Sequence, residues 1–200
     1  MTDASQILVG CNEKVVCIRV RGRGSFLNSA GIKQFAKEMI QRGHREFVVD
    51  LADCPAMDST FMGTLTGVAL QLQSIGHGNL HVIRCNERNT DLLQGLGLDQ
   101  ILDLADAPGG SADPEANGYY PVEDGDNHGT ADEKLNPAVA AAADVDDHEL
   151  EAPRADRQQT SEVMLAAHQA LVDADPQNLS KFKDVLDYLK QDLQRGAAVD

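Results

Sequence analysis

The chain has no tryptophan, and its three Tyr and five Phe make up 4% of its 200 residues. That is too few for the aromatic platforms on which single-stranded nucleic acids stack. Positive charge is also scarce: 17 Lys and Arg stand against 32 Asp and Glu, for a formal net charge of −15. A phosphate backbone is held by clustered cations that displace its counterions, and an anionic lipid surface makes the same demand. Nucleic acid is therefore not expected as a partner, and an anionic membrane surface is disfavoured. No apolar run approaches the ~18 residues of a membrane-spanning helix, so no membrane insertion is expected. Met1-Thr2-Asp3-Ala4-Ser5 lacks the basic and apolar blocks of a secretory leader. A soluble, cytoplasmic protein is expected.

The signatures of metal and cofactor chemistry are missing as well. Cys11, Cys17, Cys54 and Cys85 form no C-x-x-C and no zinc-finger spacing. They read as reduced thiols packed as small hydrophobes. The six His (44, 77, 81, 128, 148 and 168) include no helix-spaced pair with a carboxylate. No metal and no cofactor is expected, and acid–base catalysis has little support.

What is present divides unevenly. Residues 1–104 carry 10 basic and 11 acidic side chains, residues 105–160 carry 3 and 14, and residues 161–200 carry 4 and 7. The acidity belongs to the middle segment, which also holds five of the seven prolines. Low hydropathy with high net charge does not offset the entropy of ordering a chain. Residues 105–160 are therefore predicted to be a disordered linker, with a helical turn at most over 138–143. An acidic interaction tail is the alternative.

Residues 1–104 alternate strand and helix patterns. Ile7 to Cys11 and Lys14 to Arg21 predict a hairpin turning at Asn12-Glu13; Val16, Ile18 and Val20 share one face of its second strand. Asn28 or Ser29 can cap a helix to about Arg42, with Ile32, Phe35, Ala36, Met39 and Ile40 as its apolar stripe. Glu46 to Leu51 is a buried-type strand. Asp58-Ser59-Thr60 then offers three capping side chains before a helix that Phe61, Leu65, Val68, Ala69 and Leu72 carry toward Ser74. Leu80 to Ile83 is a third strand of the same kind. Glu87 to Gly95 is a short helix with Leu92 and Leu93 inward, and Leu98 to Leu104 closes the core. Such an alternation predicts an α/β domain with crossover helices packed on a sheet.

Residues 161–195 predict a helical hairpin. Val163, Ala167, Ala170 and Leu171 line its first helix, and Asp175-Pro176 starts the second. There Leu179, Phe182, Leu186, Leu189 and Leu193 recur at spacings of 3 and 4, an interaction seam. Two helices bury such a seam poorly alone. It must find the first domain, a second copy, or another protein.

The stretch most informative about function is Val49 to Gly67, V-D-L-A-D-C-P-A-M-D-S-T-F-M-G-T-L-T-G. A buried strand leads to a loop that ends in Asp-Ser-Thr at a helix start. The plain reading is that Asp58, Ser59 and Thr60 cap the helix. The functional one is that the Ser59 hydroxyl lies bare at a helix mouth, where the dipole tolerates an anion and a kinase has access. A phosphate there adds about −1.5 to −2 charge, which a partner docking on Met57 and Phe61 would have to desolvate. The loop Arg21-Gly22-Arg23-Gly24-Ser25 reads as a strand terminator beside the partner surface, with Arg23 a candidate to pair with the phosphate or with an acidic partner. Ser59 as a nucleophile lacks G-x-S-x-G and an ordered acid and His, so no enzyme is expected.

M-D-S-T-F-M-G after F-V-V-D-L, with an amphipathic helix following, resembles the signature of STAS domains, the anti-sigma factor antagonists of bacterial partner switching. The resemblance covers residues 7–104, including L-x-x-L-G-L-D-x-I-L at 93–102. It implies a small mixed sheet with helices largely on one side. Asp58 matches the motif aspartate and Ser59 the phosphorylated serine, Thr60 replaces a second serine and is the rival acceptor, Phe61 replaces a glycine, Met62 replaces a leucine, and Gly63 is kept. By this resemblance the unphosphorylated domain binds an anti-sigma factor that is also a serine kinase of the GHKL type, through Met57, Asp58, Phe61, Met62 and Gly63 with Arg23, Ser25 and Asn28 beside them. Phosphorylation breaks that complex and a protein phosphatase restores it. The second reading is a STAS scaffold subunit of a larger assembly, stressosome-like or accessory to a lipid transporter, joined through the seam of Leu179 to Leu193.

Overall fold

The computed structural model describes residues 5–105, 137–143, 145–150 and 156–196. Strands β1 (Gln6–Cys11) and β2 (Val16–Arg21) pair antiparallel with Val9 opposite Ile18. Asn12 shapes their turn: its Oδ1 accepts from the backbone N–H groups of Lys14 and Val15, both at 2.9 Å. Strands β3 (Glu46–Asp53), β4 (Asn79–Ile83) and β5 (Asp103–Leu104) follow in parallel order beside β2. The row Val9–Ile18–Val49–Val82 crosses four strands and is wholly buried. Period-2 alternation puts these side chains on one face. Helices α1 (Phe26–Gln41) and α2 (Ser59–Ser74) cover that face with their apolar stripes.

Local details depart from the sequence reading. Ser25, not Asn28 or Ser29, is the N-cap of α1; Asn28 sits at its third helical position and accepts from the Ser25 N–H at 3.3 Å, a capping box. In α3 (Glu87–Gly95) Leu93 is buried but Leu92 is exposed, because successive helical residues do not share a face.

The expected linker is overturned over its described second half. Helix α4 (Pro137–Ala142) lies on the other face of the sheet, where Ala138, Ala142 and Val145 cover Cys17, Val48 and Ile83. Strand β6 (His148–Glu149) then pairs antiparallel with β1, giving the order β5-β4-β3-β2-β1-β6. Alanines add little to hydropathy, yet their small side chains let a helix approach a sheet closely, and composition alone hides this. The expectation for 106–136 concerns residues outside those described. On the same face Asp50 is buried between two arginines: Arg19 Nε donates to it at 3.1 Å and Arg84 Nε at 3.0 Å, while Arg19 also pairs with Asp147 beside β6.

The helical hairpin forms, longer than expected, from α5 (Arg157–Ala174, capped by Asp156) and α6 (Leu179–Gly196). Leu186 and Leu189 are buried and Phe182 and Leu193 half-buried, but Leu179 is exposed. Of the three partners the sequence left open, the hairpin takes the first domain. Helix α5 lies along α2, the most extensive contact between any two elements described, and Leu171 enters the first domain's core. Asn178 fastens the hairpin's turn: its buried Nδ2 donates to the carbonyls of Leu96 (2.8 Å) and Leu171 (2.9 Å).

Candidate functional site

The loop between β3 and α2 is zipped to the loop between β2 and α1. Gly22 N–H donates to Asp53 O at 2.9 Å, Gly24 N–H to Ala56 O at 3.0 Å, and Asp58 N–H to Gly24 O at 3.0 Å. From the other side Asn86 and Asn89 each donate through Nδ2 to Cys54 O at 2.9 Å. Gly24 is required by close packing: a Cβ there would lie 2.8 Å from the Phe61 ring. The loop therefore delivers Asp58 and Ser59 to a fixed place.

Asp58 joins two helices. Its Oδ1 accepts from Phe61 N–H at 2.9 Å and its Oδ2 from Phe26 N–H at 3.0 Å. One carboxylate thus caps α2 and ties the first turn of α1 to it, at the positive ends of both helix dipoles.

Ser59, the first residue of α2, is half-buried, and its hydroxyl is engaged. Its Oγ lies 3.1 Å from Nε2 of His168 on α5. The Nδ1 of that ring lies 2.8 Å from Met164 O. A carbonyl only accepts, so Nδ1 carries a proton and donates; in the neutral ring Nε2 is then the acceptor, and the Ser59 hydroxyl donates to it. His168 is only 3% exposed and meets Phe182 of α6 edge-on, with ring centroids 5.2 Å apart. One and two turns along α2, Gly63 faces Ala167 and Gly67 faces Ala170, so the two helix backbones nearly touch. The sequence led us to expect a bare hydroxyl. The structure corrects that: the docked hairpin brings His168 over it.

The other site residues divide into two groups. Thr60, Met57, Met62 and Phe61 are buried, the last completely, and Met57, Phe61 and Met62 pack in the core. They are not a docking surface, and Thr60 is inaccessible as a rival acceptor. Asn28 is also buried and, like Ser25, is engaged in capping α1. Gly63 lies under α5. Arg23 is exposed, in the loop that Gly24 links to Met57. The sequence reading missed Phe26 and Leu27, the latter 66% exposed, which present apolar surface at the first turn of α1 beside Asp58. It also missed His168; no local pattern signals a contact across 109 positions. Among the described residues no group of three or more His, Cys, Asp or Glu could hold a metal ion, and no helix is long and apolar enough to cross a membrane.

Comparison with known proteins places this geometry. Residues 6–109 match the family model described as STAS domain. No curated protein matches the chain. Among solved structures, a candidate anti-sigma factor antagonist of Thermotoga maritima, TM1081, is similar at 20% identity over 48% of this chain and 81% of its own, with a TM-score of 0.44. The anti-sigma factor antagonist SpoIIAA in its unphosphorylated form is similar at 17% identity over 46% of this chain and 82% of its own, with a TM-score of 0.40.

Proposed function

The chain belongs to the STAS domain family, and from that premise we propose that it is a cytoplasmic anti-sigma factor antagonist switched by phosphorylation of Ser59. The observation that carries this reading is the placement of Ser59: a half-buried hydroxyl on the first turn of α2, directly after β3 and the Asp58 cap. Its partners are an anti-sigma factor that doubles as a GHKL-type serine kinase and a phosphatase that resets it. Arg23, Phe26 and Leu27 form the exposed rim around the switch. The protein is a binding module, not an enzyme. His168 does stand where a general base would, but the Phe61 N–H, a candidate oxyanion donor, is already held by Asp58.

Intact mass and phosphopeptide mapping of the protein from its native host should find phosphate on Ser59, in a fraction that changes with growth conditions. In parallel, Ser59→Ala should retain binding to the cognate anti-sigma kinase and Ser59→Asp should lose it. Phosphate found on other residues alone, or equal binding by the two variants, sinks the reading.

The scaffold alternative keeps one supporting observation, the exposed Leu179, Val185 and Tyr188 on α6. Light scattering of the full chain decides it: a monomer at all concentrations counts against self-assembly.

A further inference from the structure

We propose that the C-terminal hairpin is an intramolecular latch on the Ser59 face, and that it must leave α2 whenever a phosphoryl group or a partner protein takes the hydroxyl. The proposal deepens the reading of Ser59 as the controlled residue.

Three observations lock the His168 ring in place. Its Nε2 is 3.1 Å from the Ser59 oxygen, its Nδ1 is tied to Met164 O, and its edge rests on Phe182. A single hydrogen now fits between Oγ and Nε2. A phosphoryl group puts three acceptor oxygens and about two negative charges in that place, against a ring nitrogen that offers a lone pair. The ring cannot turn aside on its own, because its opposite nitrogen and its edge are both held. Nor can α5 yield by a small slide. The backbone of α5 at Ala167 already touches α2 at Gly63, with no room there even for a methyl group. Backbones in contact have no side-chain slack to give up, so relief comes from moving the helix away. The same contact makes the hairpin a competitor. The α2 surface that it covers, from Ser59 through Gly63 to Gly67, is the surface next to the switch, and a partner must displace it to reach that surface. After release the hairpin stays attached to the chain, through the segment that joins it to β6 at the edge of the sheet.

The test installs phosphoserine at position 59 of the full chain by codon suppression, so it needs no kinase. Amide hydrogen exchange is then compared with the unmodified chain and with Ser59→Ala. In the unmodified chain and in Ser59→Ala, α5 should be protected. In the phosphoserine chain, α5 amides should exchange at least about tenfold faster while β3 stays protected. Ala170→Glu, which sets a carboxylate against Gly67, gives the exchange of a released hairpin; should it fail to fold, the comparison of modified and unmodified chains stands without it. The latch is overturned if α5 is equally or better protected with the phosphate in place, as when a protonated His168 simply pairs with it. It is also overturned if α5 is already unprotected in the unmodified chain, or if β3 loses protection along with α5. The two readings fail separately. Absence of phosphate on Ser59 in the native host removes the signalling reading alone, and unchanged α5 exchange removes the latch alone.

Discussion

Gly63 of α2 and Ala167 of α5 meet backbone to backbone: a Cβ built on Gly63 would overlap the Ala167 carbonyl oxygen and lie 2.6 Å from its carbon. This contact sets Gly63→Ala apart from ordinary glycine substitutions. In an isolated helix the change is favourable by about 1 kcal/mol, because alanine has less backbone entropy to lose. Here it forces two helices apart, and overpacking of this kind costs about 1–3 kcal/mol. The expected outcome is a split response: α5 amides exchange faster while β2 and β3 keep their protection. Gly67→Ala is the control, since its Cβ would make an ordinary 3.6 Å contact with Ala170 and should leave α5 in place. Equal protection of α5 in wild type and Gly63→Ala would show that the helices separate at no cost.

The same helix shows what a single sequence reveals and what it hides. The faces of β1–β4, the apolar stripes of α1 and α2, and the cap at Asp58 were all legible, because each follows from spacing or from a side chain acting on its immediate neighbours. The serine at the mouth of α2 was legible for the same reason. Phe61 was legible as an apolar position of α2, and its second assignment, to a docking surface, does not hold. Its burial depends on Gly24, a residue on another loop that leaves room for the ring. His168 was invisible as a partner of Ser59, since only the docking of α5 brings the two together. Helix α4 and strand β6 were hidden by composition. Alanine and aspartate dominate 137–150, yet the segment finds the uncovered face of the sheet and the open edge of β1. Failures of both kinds come from long-range complementarity, which no local pattern encodes.

Asp50 is 1% exposed between Arg19 and Arg84. A buried carboxylate is tolerated only when its partners replace the water it has lost. Asp50→Ala strips both arginines of that partner, although Arg19 retains Asp147. Since both guanidinium groups are partly exposed and can turn to solvent, the loss should fall at the low end for a broken buried pair, about 3 kcal/mol. Arg84→Ala leaves Arg19 on Asp50 and should cost less, about 1 kcal/mol. Urea unfolding of the two variants checks the order. A larger loss for Arg84→Ala than for Asp50→Ala would mean that the carboxylate is not the centre of the network.

Cys17 and Cys54 are buried, and burial pushes both thiols above their ordinary value of 9.0. For Cys17 the nearby Arg19 offsets part of that rise; for Cys54 the backbone at Gly24 and Ala56 does so. The sign of the pH dependence follows. A thiol raised in the folded state ionises first in the unfolded chain, so its contribution to stability is complete below pH 9 and is lost as pH rises through the folded-state value. The urea midpoint should be level between about pH 7 and 8.5 and fall above about 9. In the Cys17→Val, Cys54→Ala double variant that alkaline fall should shrink, whatever the variant's stability at neutral pH. Labelling gives an independent check, because the thiolate is the reactive form. With maleimide at pH 8, exposed Cys11 should react first, and Cys17 and Cys54 at the rate of global unfolding. An alkaline fall of the same size in the double variant would assign it to other groups, the lysines foremost, and would leave the two buried thiols with no part in the pH dependence of the fold.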